Sequence, residues 1–172
     1  KKSDIDEDTG VVPFLLDTGT PNEPSEFNIK FFVGDKRYWY VLVLDDKQVI
    51  KEDLYVYNSV QPSLVFSREL DGTASLIKLN ASLVKANATI VEQLNVKCLS
   101  NMSFFAARNQ VNCSLAYIDE VRDWMKNNMM PIIEPGTRMF EYAGKQMEKN
   151  AELKAYILDL VHKADYNITD VY

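Results

Sequence analysis

Histidine occurs once in the 172 residues, at position 162, and cysteine twice, at positions 98 and 113. A single imidazole excludes a histidine-rich metal site and leaves Ser/His/Asp catalysis without support. His162 falls near a helix end, where it reads as a partner for the helix dipole. Two cysteines are too few for a disulfide scaffold, and Cys98 and Cys113 do not form a CxxC metal pair, so they read as reduced, half-buried thiols. No stretch approaches the ~20 consecutive apolar residues of a membrane span. The longest apolar run, Tyr38 to Leu44, has the length of a strand, and no signal peptide is visible. Also missing are GxxxxGK[S/T], GxGxxG and GxSxG, and with them a phosphate-cradling loop, a dinucleotide turn and a nucleophile elbow. Basic residues are outnumbered, 19 to 25, for a net charge of −6. That argues against a surface that coats nucleic acid, while leaving room for a local basic patch. The chain opens "KKSDIDEDTG", without methionine, and is expected to be an excised piece or a processed product.

What is present is ordinary globular composition, 47% hydrophobic and 26% charged, in a chain long enough for one domain or one domain with an appendage. Residues 1–10 are polar and acidic and are expected to form a disordered tail. A short apolar run and a Pro- and Gly-punctuated loop follow. Residues 26 to 77 have the pattern of an antiparallel meander. Phe27, Ile29, Phe31 and Val33 alternate with polar residues. "GDK" at 34–36 and "DDK" at 45–47 are turn signals. "RYWYVLVL" is apolar on both faces, as a strand covered on two sides would be. "QVIKEDLYVY" places Ile50, Leu54 and Val56 on one face, which Glu52 breaks, and Tyr55 and Tyr57 on the other. "SLVFSREL" ends at Asp71-Gly72, and "ASLIKL" supplies a fifth strand.

Beyond residue 80 the period changes. Part of 81–97 is expected to be helical, and "NMSFFAA" reads as a strand. Asn112 or Ser114 is placed to cap a helix presenting Leu115, Ile118, Val121 and Met125. Pro131 and Pro135 block its continuation. Residues 138–148 make another helix. The clearest helix is "NAELKAYILDLVHKAD", with Asn150 as its cap and Leu153, Ile157, Leu160, Val161 and Ala164 as its stripe. Asn167 suits the left-handed position after it, and "ITDVY" a short terminal strand. The fold class is therefore α+β, with an antiparallel meander of about four to five strands over 11–79. A helical region of three to four helices, with the short strand, occupies 80–172.

Candidate chemistry is sparse. Asp6, Glu7 and Asp8 lie in the tail, and Asp45-Asp46 in a turn. The aromatic strand at 38–40 would suit base stacking, but only Lys36 and Arg37 accompany it, so sheet core is the better reading. Five Asn-x-Ser/Thr sequons, at Asn80, Asn87, Asn101, Asn112 and Asn167, would be glycan sites in a secreted protein and chance matches otherwise. The one polar cluster worth a closer look is "FFAARNQVN", residues 104–112. It reads as strand exit and helix cap, with Arg108 paired to an acid.

The order of segments resembles the region after the Walker A helix in the bacterial abortive-infection ATPases, AAA-type proteins whose heads are like those of ABC, SMC and RecF ATPases. The similarity is carried by Pro13-Phe14-Leu15-Leu16-Asp17, Glu23-Pro24-Ser25-Glu26-Phe27, Tyr38, Tyr40 and Leu54-Tyr55-Val56-Tyr57. "LVFSRE" at 64–69, "CLSNMSFFAARNQVN", "VRDWMKN" and "LKAYILDLVHKADYNITDVY" extend it over about residues 11–172. The resemblance implies a cytoplasmic ATP-binding and ATP-hydrolysing parent that uses Mg²⁺ and forms a head-to-head dimer, acting in phage defence or nucleic-acid surveillance. This chain would be its middle portion: antiparallel subsheet plus family-specific helices, non-catalytic by itself and holding no cofactor. Its partners would be the remainder of the head, a second full-length copy, and a nucleic acid or effector protein, with no membrane. ABC-type heads carry a metal-sensing glutamine where subsheet meets helices. Gln110 is the candidate for it, although the family pattern places that glutamine directly after the two alanines, where Arg108 stands. The alternative from another class is a secreted or surface-exposed binding domain without enzymatic activity.

Overall fold

The computed structural model describes residues 4, 6–129, 136 and 138–164. It divides into two units, Lys1–Met129 and Met130–Tyr172. The fold is α+β, as the patterning implies. In the first unit, strands β1 (Ser25–Val33), β2 (Lys36–Leu44), β3 (Val49–Tyr57), β4 (Ser63–Asp71) and β5 (Ala74–Leu79) form one antiparallel sheet in the order 1-2-3-4-5. Every connection joins neighbours, because each is a short turn. Gly34 and Gly72 take φ of +56° and +60° in the β1–β2 and β4–β5 turns, a region costly for a residue with a Cβ. In the β2–β3 turn, Asp45 Oδ1 accepts from the amides of Lys47 and Gln48 at 2.8 and 2.7 Å, and so fixes its shape.

Period-two alternation decides which residues enter the core. Phe31, Tyr38, Leu54, Val56, Phe66 and Ile77 share one buried face. Helices α1 (Ala88–Lys97), α2 (Phe104–Arg108) and α3 (Ile118–Asn128) contribute Leu94, Phe104, Ala107, Ile118 and Val121 to the same core. Trp124 of α3 stacks on Phe31 at 4.3 Å. The double-sided apolar character of β2 has a different cause from a second covering layer. Its other face is screened by cross-strand side chains: Trp39 stacks on Tyr55 at 4.9 Å, and Lys30 lies 5.1 Å over the Trp39 ring. Arg37 lies 3.8 Å over Tyr57 on the same face.

Two expectations beyond residue 80 are corrected. "NMSFFAA" is not a strand. Ser103 accepts from the amide of Ala106 and caps α2, and the helical turn lets Phe104, Phe105 and Ala107 all enter the core, which a strand would not. Neither Asn112 nor Ser114 caps α3. That helix begins after Tyr117, at φ +64° and without a side-chain cap. The pull of Leu115 and Ile118, both fully buried, sets the start instead.

Helix α1 does have its cap, Asn87, whose Oδ1 accepts from Ile90 N at 2.9 Å. Asn87→Ala is expected to cost about 1 kcal/mol, read as a lower urea midpoint at unchanged slope. A change below about 0.3 kcal/mol would mean that α1 is held by packing alone. In the second unit, α4 (Phe140–Lys149) and α5 (Ala151–Lys163) follow, and Asn150 caps α5 as expected, accepting from Leu153 N at 3.0 Å. His162 and Lys163 occupy the last turn. Asn167 and the "ITDVY" strand lie outside the described residues. No helix among the described residues is long and apolar enough to cross a membrane.

Candidate functional site

The "FFAARNQ" stretch sits where the sheet meets the helices, and it is built around two charged side chains. The first is Glu52. It stands on the core face of β3, opposite Leu42 of β2 and Arg68 of β4, and is fully buried. Its Oε2 accepts from the amide of Phe104 at 2.6 Å, and its Oε1 from the Tyr40 hydroxyl at 2.8 Å. Phe104 N is one of the orphan amides at the start of α2, so this carboxylate holds that helix to the sheet. Burial pushes its pKa up to about 7, against the opposing pull of the Phe104 and Tyr40 hydrogen bonds and of the Arg68 charge. Burial likewise raises the Tyr40 phenol far above its ordinary value, with Glu52 adding to the effect.

Arg68, also fully buried, donates to Ser75 Oγ at 2.8 Å and to the carbonyls of Leu99 and Ser100 at 3.2 and 3.1 Å. It also donates to the carbonyl of Val49. It thereby ties the loop before α2 to three strands. Around the pair, Phe66 packs against Phe104 at 4.0 Å and Phe105 at 5.7 Å, and Tyr40 meets Phe105 at 5.6 Å.

The second centre is Arg108, the last residue of α2. It is paired to an acid, as the sequence implied: Asp119 lies 2.8 Å away. The same guanidinium donates to the carbonyls of Val111 and Cys113 at 2.8 and 2.5 Å. Asp119 in turn accepts from Leu115 N at 2.8 Å. The connection from α2 to α3 is therefore wrapped around one buried cation.

Gln110 is exposed in the turn after α2, its Nε2 3.5 Å from Met102 Sδ and its amide donating to Ala107 O at 2.9 Å. A cavity of about 570 Å³ opens between α2 and α3, lined in part by Ala106, Asn109, Arg122 and Lys126; Gln110 is not among its lining residues. Asn109 and Asn112 are exposed as well. The polar cluster of the sequence thus separates into a buried organiser, Arg108, and solvated neighbours.

Other candidates are placed as follows. Asp8 pairs with Lys47 at 2.6 Å, and Thr9 N donates to Asp46 O at 2.9 Å, so residues 8 and 9 contact the β2–β3 turn. Both cysteines are free thiols, and burial raises that of Cys98. Of the sequon asparagines, Asn80 donates through Nδ2 to Leu64 O at 2.8 Å. Asn101 donates through the same atom to Asp4 O and Glu7 O at 2.5 and 2.7 Å. A glycan on either nitrogen would disrupt those contacts. Among the described residues, no three of His, Cys, Asp and Glu are grouped as a metal ion would need.

Sequence reasoning missed Glu52 and Arg68 as a pair. The signal was there: a carboxylate on an otherwise apolar strand face is costly unless it has partners. Finding Arg68 required the β3–β4 register, which a bulge at Leu54/Tyr55 shifts. No family model, no curated protein and no solved structure matches the chain.

Proposed function

We propose that the chain is the antiparallel subsheet and helical part of an ABC/SMC-like ATP-hydrolysing protein of the abortive-infection type, non-catalytic by itself. One observation supports this reading above the others. Segments that carry the resemblance, far apart in sequence, meet in one cluster formed by Tyr40, Glu52, Phe66, Arg68 and Phe104. A shared pattern that converges on one buried polar device is what a common fold would preserve. ATP and Mg²⁺ would be held by segments outside this chain, since it has no phosphate-cradling loop and no cluster of metal ligands among its described residues. We assign Gln110 to the edge of that nucleotide site, because it is an exposed glutamine at the junction of sheet and helices.

The test has two parts. The 172-residue chain is expected to show no thermal shift with ATP and Mg²⁺. The product of the coding sequence that includes its flanks should bind and hydrolyse ATP, and Gln110→Ala should lower hydrolysis there while leaving the melting of this chain unchanged. Flanks without a GxxxxGK[S/T] motif upstream and a Walker B segment downstream would overturn the proposal.

A further inference from the structure

The two edges of the sheet are treated differently. At β5, α1 reaches over: Asn95 Oδ1 accepts from the backbone amide of Ile77 at 2.8 Å. That blocks one edge against further pairing. At β1 the five consecutive residues Glu26–Lys30 are exposed. Phe27 and Ile29 retain 53% and 38% of their surface in water, an unusual display of apolar area for an edge strand. Beside them lies a mostly apolar cavity of about 380 Å³, lined by Asn28 together with Phe27, Ile29, Leu42, Met125 and Met129, among others.

The sequence of β1 complements itself. Two antiparallel copies centred on Asn28 bring Glu26 opposite Lys30 of the second copy, and Lys30 opposite its Glu26. Both pairs fall on the face away from the helices. Phe27 and Ile29 then meet their counterparts on the core-side face, next to the cavity. Residues at positions of equal parity oppose each other throughout, so outward-pointing amides meet outward-pointing carbonyls. Shifting the register by two residues breaks both charge pairs. A lysine in an edge strand ordinarily discourages pairing; here a two-fold partner supplies its counter-charge. We propose that two copies of this chain associate through β1 in this register, joining the five strands of each into one continuous sheet. The association needs no nucleotide, which separates it from the head-to-head dimer implied by the resemblance.

Sedimentation equilibrium of the full chain, from micromolar to millimolar concentration, is expected to show the mass moving from one chain to two. Lys30→Glu and Glu26→Lys each place like charges opposite each other twice and should weaken the dimer about tenfold or more. The double exchange Glu26→Lys/Lys30→Glu should restore it, which neither misfolding nor loss of the Lys30–Trp39 contact would do. Asn28→Cys should give an oxidised covalent dimer under conditions where the parent, with Cys98 and Cys113 alone, gives none. A chain that stays monomeric throughout overturns the proposal, as does a double exchange no tighter than the single variants. So does a dimer that Asn28→Cys fails to link. Pairing of β1 only with an added peptide of unrelated sequence would assign the edge to a different partner and overturn it equally.

Discussion

Glu52→Ala is expected to destabilise the first unit by about 3 kcal/mol, because it removes a buried acceptor from two donors and a counter-charge from a buried guanidinium. The amide of Phe104 and Arg68 would remain buried, and the Tyr40 hydroxyl would lose its acceptor. The pH dependence of the native chain separates this carboxyl from an ordinary packing residue. Its pKa is raised from 4.5 to about 7 on folding. Between those values the folded chain holds a proton that the unfolded chain has lost. The stability contributed by this group is therefore complete below pH 4.5 and declines as pH rises through about 7. At 1.4 kcal/mol per pH unit, the decline amounts to roughly 3 kcal/mol. Urea unfolding at half-unit steps from pH 4.5 to 8 should show that slope in the native chain. Glu52→Gln should flatten it: less stable than the parent at pH 5 by about 1 kcal/mol for a lost hydrogen bond, equal to it at about pH 6, and more stable by roughly 1–2 kcal/mol at pH 8. Equal slopes in the two proteins would assign the proton elsewhere.

The part of this fold legible in the sequence is the part governed by local rules. Alternation and turn residues place all five strands and their order, since a meander needs only that neighbours pair. Asn150 is recognisable as a cap because the next polar-to-apolar transition follows it directly. The misreadings share a cause. Phe104, Phe105 and Ala106-Ala107 satisfy a strand or a helix equally well as a short run; a tertiary contact, the Glu52 carboxylate on the amide of Phe104, goes with the helix. Asn112 has the chemistry of a cap, but the buried Arg108–Asp119 pair ties the loop so that α3 begins six residues later, at Ile118. What the sequence conceals at the candidate site is partnership across strands. Glu52 and Arg68 are sixteen positions apart and meet only through β3–β4 pairing.

Arg108 provides the sharpest contrast between a ligand-binding reading of "FFAARNQVN" and a structural one. A cation that binds a ligand turns its terminal nitrogens toward a cleft; this one gives both to its own protein, Nη1 to Val111 O and Nη2 to Cys113 O and Asp119, with its side chain only 5% exposed and its buried Nε enclosed without a partner. Arg108→Ala should therefore cost about 3–4 kcal/mol, the range for breaking a buried pair from one side. Arg108→Lys should recover less than half, since one ammonium does not reproduce a planar fork that reaches two carbonyls and a carboxylate. Asp119→Asn should cost less than Arg108→Ala, because Asp119 keeps 21% of its side chain in water. Combined as Arg108→Met/Asp119→Asn and compared with the single variants, the pair should show a coupling of about 1–3 kcal/mol. These values are read from urea unfolding of the full chain, with the tryptophan Trp124 of α3 as a local reporter. An Arg108→Ala variant within 0.5 kcal/mol of the parent would mean that the α2–α3 connection holds itself, and would return this arginine to the list of candidates for binding.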